Sequence, residues 1–125
     1  MNEHERRLIE IFVTPDKKDS YLALLRSKNG RDKFINELPR FKGLDKKYAL
    51  KSELASKKDI IKELTSGGSE SCYVISASKK YDTKTMPIKE AVDSIYEIDP
   101  GAIISCIPGK LIYYEGTDER SIYKR

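Results

Sequence analysis

Tryptophan is absent from the 125-residue chain, histidine occurs once, and cysteine occurs twice. The single imidazole is His4, so there is no histidine pair for a metal site, and no Cys-x-x-Cys spacing occurs. A serine or cysteine nucleophile would have to recruit His4 as its base. These shortages disfavour the commonest enzyme classes. They predict a chain with no metal and no cofactor, and whether it is an enzyme stays uncertain, with the balance towards no.

Long apolar runs are missing as well. No stretch approaches the roughly 18 to 20 apolar residues that cross a bilayer. The first residues, Met1 to Arg7, are mostly charged and lack the apolar core of a secretory signal. Two cysteines are too few for a disulfide scaffold. We therefore expect a small soluble cytoplasmic protein that does not associate with membranes and keeps its thiols reduced.

Apolar residues nevertheless make up 38% of the chain, against 35% charged residues. This apolar content can fill one modest core, and the length suits a single globular domain spanning residues 1–125. The periodicity of the apolar residues changes along the chain. It predicts a helical half at residues 1–66 and a sheet-containing half at residues 71–125.

Three to four helices are predicted in the first half, where apolar residues recur at helical spacing. Thr14-Pro15 is typical of a helix start and predicts where the second helix begins. Asn29-Gly30 predicts the end of that helix. Ser56 resembles an N-cap for a last helix, which would end at Gly67-Gly68.

The second half contains a β-rich run at residues 72–75, a helical stripe after Pro87, and further strands near residues 102–107, 111–114 and 122–123. A strand, a helix and a strand in that order indicate a parallel crossover. We therefore predict an α+β fold in which the N-terminal helices pack on one face of a four-stranded mixed sheet of order β-α-β-β-β.

The strongest functional lead is a basic segment between Arg26 and Lys51, which has nine Lys and Arg against three Asp and Glu. Its net charge of +6 contrasts with a net charge of −1 for residues 66–125. Such a segment either forms an ordinary solvated surface or contacts an acidic partner. The candidate partner-binding residues are Arg26, Lys28, Arg31, Arg40, Lys42, Lys46, Lys47 and, on the predicted strands, Tyr114.

Tyr114 is included because adjacent strand residues point to opposite faces. With helices on only one face, either Tyr113 or Tyr114 would be exposed, as tyrosines at protein interfaces are. Aromatic residues are also interleaved with the basic ones at Phe34, Phe41 and Tyr48. This arrangement keeps open the alternative that the segment binds nucleic-acid backbone, with aromatic rings stacking on bases.

A second candidate site is the loop at residues 78–85, which follows the first predicted strand and precedes a predicted helix. Ser78, Lys79, Lys80 and Thr85 could hold an anion there, because ligands gather at strand ends and helix N-termini. An ordinary polar connection is the alternative. The two cysteines, Cys72 and Cys106, lie in predicted strands and are either a close thiol pair or separate buried side chains.

Three functional hypotheses follow from these features. The first is a non-catalytic binding or regulatory module that contacts a protein partner with an acidic patch, as small immunity proteins, antitoxins and adaptors do; this analogy rests on size and class alone. The second is nucleic-acid binding through residues 26–51. The third is a small ligand-binding or enzymatic domain that uses the 78–85 loop.

Overall fold

In a computed structural model, which describes residues 1–50 and 56–125, an antiparallel sheet lies between two layers of helices. The helices are α1 (Glu3–Arg7), α2 (Lys18–Leu24), α3 (Lys28–Glu37), α4 (Lys57–Thr65) and α5 (Ile88–Ile95). The strands are β1 (Ser71–Ser76), β2 (Thr85–Pro87), β3 (Ala102–Ile107), β4 (Leu111–Glu115) and β5 (Arg120–Lys124). A π-helical turn follows α1 at Leu8–Phe12, and 3₁₀ turns lie at Leu38–Arg40 and Lys46–Tyr48. No helix within the described ranges has the length and apolarity to cross a membrane.

The predicted α+β class is confirmed, but the sheet has five strands rather than four. Its strand order is β2-β1-β3-β4-β5, and every neighbouring pair is antiparallel. The strand that the sequence did not predict is β2, which contains only three residues and ends in a proline. So short a segment has no alternating apolar pattern, and its proline is typical of a sheet edge.

The predicted parallel crossover from β1 to β3 is wrong because β2 reverses the chain direction first. Both β2 and β3 run antiparallel to β1, so they point the same way on its two sides. The helical connection through α5 therefore joins β2 to β3 and passes over the strand between them. The sheet therefore does contain two strands of the same direction joined by a helix, but these are β2 and β3 rather than β1 and β3.

Helices cover both faces of the sheet, which corrects the expectation of a single covering layer. Residues of α1, α2, α3 and the turns near them bury one face with side chains such as Phe12 and Phe34. Helices α4 and α5 bury the other face with an aliphatic stripe that includes Ile60 and Val92. Strand residues alternate between these two clusters, so every residue of β4 is buried. Consequently neither tyrosine of that strand, Tyr113 or Tyr114, is exposed.

Two predicted helix boundaries in the first layer are also wrong. Helix α2 begins at Lys18 rather than next to Pro15, and the Thr14 hydroxyl makes no hydrogen bond to the described residues. The break before α3 lies at Ser27, whose side chain caps the helix by accepting a hydrogen bond from the Gly30 N–H. Gly30 is instead a close-approach residue, because a Cβ atom there would lie 2.2 Å from the Leu24 carbonyl oxygen.

Candidate binding surface

Three basic side chains, those of Lys17, Arg40 and Lys42, converge on an open groove of about 460 Å³ in the first helical layer. One side of the groove comes from α2 and the residue before it, and the other comes from the end of α3 and the 3₁₀ turn that follows. The lining residues are Lys17, Tyr21, Asn36, Glu37, Pro39, Arg40 and Lys42. The groove thus combines three cations with one carboxylate, giving a net charge of +2 beside a tyrosine ring and a proline.

The wall that carries Arg40 is fixed by hydrogen bonds from the sheet. The Tyr114 hydroxyl donates to the Leu38 carbonyl oxygen at 2.6 Å and accepts from the Phe41 N–H at 3.0 Å. The Thr117 N–H donates to the Pro39 carbonyl oxygen at 2.7 Å. Three main-chain groups of the turn therefore form hydrogen bonds with Tyr114 of β4 and with Thr117, which follows that strand. Tyr114, a candidate for direct contact with a partner, lies beneath the groove and holds its wall.

The Tyr21 ring at the groove belongs to a packed aromatic cluster in the core beneath it. The ring of Tyr21 packs against those of Phe34 and Phe41, with centroids 5.5 and 5.3 Å apart. Burial raises the pKa of Tyr21, and the neighbouring carboxylates of Glu37 and Asp16 raise it further. At neutral pH the hydroxyl of Tyr21 therefore stays protonated and adds no negative charge to the groove.

The cations of the groove are available for an external partner. Within residues 1–50 and 56–125, Lys17, Arg40 and Lys42 form no salt bridge. Arg40 and Lys42 are exposed and Lys17 is partly exposed. An anionic group that entered this groove would meet charges that are not already neutralised by the described part of the chain.

The other members of the predicted basic segment divide into two kinds. Arg26 and Lys28 are exposed where α2 meets α3, but they do not line the groove. Lys46 and Lys47 are engaged within the protein. Lys46 pairs with Glu119 and donates to the Tyr123 hydroxyl at 2.9 Å, while Lys47 lies 3.8 Å from Asp45. Lys51, the last residue of the segment, lies outside the described residues.

Arg31 points inward, where it links α3 to Glu5 of α1 and to Asp82 of the loop after β1. Its Nη2 donates to Asp82 at 2.8 Å, and its Nη1 lies 3.1 Å from Glu5 without hydrogen-bond geometry. The Tyr73 hydroxyl donates to the same Glu5 carboxylate at 2.5 Å, and Asp82 accepts from the Ser76 N–H at 3.0 Å. Burial and this carboxylate raise the pKa of Tyr73, which keeps the phenol a donor. The sequence grouped Arg31 with the surface cations because spacing alone does not reveal a pairing partner 51 residues away.

The imidazole of His4 lies at hydrogen-bond distance from a serine in the protein interior. His4 Nδ1 lies 2.7 Å from Ser105 Oγ, which is hydrogen-bond distance for a nucleophile and its base, and the imidazole stacks on Tyr73 with ring centroids 5.4 Å apart. Ser105 has no exposed surface, since it lies in the central part of β3 beneath α1. The pair therefore joins α1 to the sheet and is closed to a substrate in this conformation.

The 78–85 loop does not gather its candidate residues into one site. Lys79 lines a cleft of about 330 Å³ together with Asp32, Asp82 and uncharged residues. Ser78 donates its N–H to Ser76, Lys80 lies over the Tyr81 ring, and Thr85 belongs to β2. Two carboxylates against one lysine make this cleft unfavourable for an anion.

A second buried ion pair lies at the opposite face of the sheet. Arg120 Nε and Nη2 donate to the two carboxylate oxygens of Glu115 at 3.0 and 3.2 Å, and the Tyr113 hydroxyl donates to the same carboxylate at 2.5 Å. The guanidinium group of Arg120 also lies 4.5 Å from the centroid of the Tyr96 ring. Arg120 is more exposed than Arg31, with 36% of its side chain accessible against 18%.

Comparison with known proteins adds no functional assignment: the chain matches no protein-family model, no curated protein and no solved structure. Sequence reasoning found Arg40 and Lys42 but missed Lys17, Tyr21 and Pro39, which complete the groove. Lys17 lies outside the dense basic segment, and only the packing of α2 beside α3 brings it to the same surface. No group of three or more His, Cys, Asp and Glu side chains suited to a metal occurs among the described residues.

Proposed function

We propose that this protein is a non-catalytic binding or regulatory module that contacts a protein partner through the groove between Lys17 and Lys42. The observation that carries the proposal is the convergence of three cations, which form no salt bridge within residues 1–50 and 56–125, on a groove whose wall is fixed by Tyr114. A rigid site loses little conformational entropy on binding, and positive charge steers an acidic surface towards it.

The composition of the groove favours a protein over a nucleic acid as the partner. The rings of Phe34 and Phe41 are buried in the core, and Tyr21 is only 8% exposed. Binding of single strands depends on accessible aromatic faces for base stacking, and these rings offer none. Acidic side chains with an adjacent apolar residue, in contrast, match a groove that presents Lys17, Arg40 and Lys42 around the partly exposed Pro39.

The test compares two triple variants of equal net charge. In the first, the groove cations are reversed (Lys17→Glu, Arg40→Glu and Lys42→Glu). In the matched control, three exposed lysines outside the groove are reversed (Lys58→Glu, Lys62→Glu and Lys110→Glu). Each protein is titrated with a Glu-rich peptide that contains one leucine and with a single-stranded oligonucleotide of similar charge, by NMR and fluorescence anisotropy across a salt series.

We expect the peptide to shift the resonances of Tyr21, Arg40 and Lys42 in the native protein and in the control. Reversal of the groove cations should weaken peptide binding on the order of tenfold or more at low salt, because like charges then face each other. Equal weakening in both variants, or no shifts at the groove, would overturn the proposal. Oligonucleotide binding with a steep salt dependence and no peptide binding would establish the nucleic-acid alternative.

A further inference from the structure

Both cysteines lie at neighbouring positions on adjacent strands. Tyr73 of β1 is paired with Ser105 of β3, and the strands are antiparallel. Cys72 precedes Tyr73 by one residue in β1, and Cys106 follows Ser105 by one residue in β3. Both side chains belong to the cluster that α4 and α5 bury, and both are free thiols. The two thiols therefore share one face of the sheet, one residue beyond an established pair.

The spacing of adjacent strands suits a covalent link at this point. Facing residues of antiparallel strands have Cα atoms about 4.5 to 5.5 Å apart, and disulfides span Cα separations of about 4.4 to 6.8 Å. The pairing of β3 with β4 shifts by one residue between Ser105 and Ile107, which makes Cys106 the extra residue of a bulge. Cys106 lies two residues after Ile104 and belongs to the same cluster, so strand alternation places its thiol on the face of Cys72.

We propose that Cys72 and Cys106 form a thiol pair that closes to an intramolecular disulfide between β1 and β3 when the chain meets a small-molecule disulfide oxidant. In the reaction, one cysteine thiolate attacks the oxidant and releases one thiol, and the second cysteine then displaces the other half as a second thiol. The two protein sulfurs lose two electrons to the oxidant, whose two sulfurs carry away the two protons. The product retains the strand pairing because the bond lies within the core that already contains both side chains.

Burial makes this reaction dependent on opening of the sheet edge. Only 2% of Cys72 and 4% of Cys106 is exposed, and burial raises the pKa of Cys72 to about 12. The Cys72 thiol donates to the Met86 carbonyl oxygen of β2 at 3.4 Å. Since α4 and α5 cover both side chains and α5 follows β2 directly, exposure of the thiols requires local opening of β2 together with α5. The pair is therefore slow to react in the native protein and reacts readily during refolding.

The test uses the native chain, refolded from denaturant in a glutathione redox buffer and, separately, in a fully reducing buffer. Intact mass and peptide mapping should show the loss of two hydrogen atoms and a Cys72–Cys106 cross-link in a monomer. The oxidised protein should melt at a temperature on the order of 10 °C higher than the reduced protein, because the link restricts the unfolded chain.

The single variant Cys106→Ala provides the control, since its remaining thiol has no partner in the chain. It should show no oxidant-dependent rise in melting temperature and should form only mixed disulfides with glutathione. The proposal is overturned if both native cysteines remain free or carry glutathione after refolding in the oxidising buffer. A disulfide-linked dimer would also overturn it, since the link would then join two molecules.

Discussion

On one face of the sheet the covering layer combines one ten-residue helix, α3, with two short helices and irregular turns, whereas on the other it consists of two regular helices. Helices α1 and α2 have five and seven residues, and a π-helical turn and 3₁₀ turns complete that layer. Helices α4 and α5 are single α-helical segments, and α5 buries a continuous stripe of Ile88, Ala91, Val92 and Ile95. Both clusters are well buried, yet they are held in place by different kinds of contact.

The difference shows how irregular segments acquire a defined position. A short helix has too few apolar contacts to fix its own orientation, because most helical stability comes from packing of an amphipathic face. The first layer adds directional ties between its segments and the sheet, at Glu5, Arg31, His4 and Tyr114. The second layer relies mainly on its aliphatic stripe. Its ion pairs lie at the surface or the margin, among them Lys57 with Asp93, Lys124 with Glu63 and Arg120 with Glu115.

Among the variants that compare the two layers, removal of Arg31 should cause the largest loss of stability. Arg31→Met leaves the buried Glu5 carboxylate with only its hydrogen bond from Tyr73. We expect the free energy of unfolding to fall by about 3 kcal/mol, since a buried charge loses its counter-charge. Urea denaturation followed by circular dichroism measures this loss.

The matched variant on the other face is Arg120→Met. It should cost less, about 1 kcal/mol, because the side chain of Arg120 is 36% exposed, so solvent screens this pair more than the pair of Arg31 and Glu5. Equal losses from the two variants would show that the first layer does not depend more strongly on its ion pair.

The two adjacent tyrosines of β4 allow the hydrogen bonds of the two layers to be compared by their effect on the free energy of unfolding. Tyr114→Phe removes the hydroxyl that bonds both the Leu38 carbonyl and the Phe41 N–H, which keep a 3.3 Å hydrogen bond to each other. The loss of two buried hydrogen bonds should lower the free energy of unfolding by about 2 kcal/mol. Tyr113→Phe removes one donor from Glu115, which keeps both bonds from Arg120, so we expect a loss of about 1 kcal/mol. Hydrogen exchange should additionally show faster exchange of the Phe41 amide only in Tyr114→Phe; unchanged exchange there would contradict the role assigned to this hydroxyl.

The smallest effect concerns pH and the His4 contact of the first layer. Burial lowers the pKa of His4 below its usual 6.5, against an opposing effect of Glu3. As pH falls below 6.5, the unfolded chain therefore takes up the proton before the folded chain does. Stability should decline, by less than about 1.4 kcal/mol per unit of pKa shift, until the pH reaches the folded-state value.

The check is an NMR titration of the His4 ring together with urea midpoints at pH 7 and pH 5.5. His4→Gln should remove most of the change between these two values, because it is the only histidine of the chain. A native His4 pKa at or above 6.5 would contradict the burial that the structure describes.

The sequence predicted the regular parts of this fold far better than the irregular ones. The stripe of α5, the Ser56 cap of α4 and the strands β1, β3 and β4 follow from local periodicity and capping, and they lie where the patterns predicted. The three-residue β2 carries no such pattern, and its omission led directly to the wrong strand direction. Local signals could not reveal it because pairing with β1 defines it.

At the candidate surface, too, the sequence shows the local features but not those that depend on distant partners. The charge of Arg40 and Lys42 is evident in the sequence, but the fate of each cation depends on distant partners. Arg31 meets Asp82 and Lys46 meets Glu119, both far along the chain, so neither pairing can be deduced from spacing. Tyr114 changed from an expected contact residue to a buried support because its side chain lies on the face of β4 that the first helical layer covers.

The way the sheet ends at its two margins has a consequence for the behaviour of the protein in concentrated solution. At one margin β2 is short and stops at Pro87, which has no N–H to offer another strand. At the other margin Ala49 bridges to Tyr123, and the Leu50 N–H donates to the Ile122 carbonyl oxygen of β5 at 2.8 Å. Strand addition from a neighbouring molecule is hindered at both margins, so the native fold resists edge-to-edge aggregation even though its strands are rich in isoleucine and tyrosine.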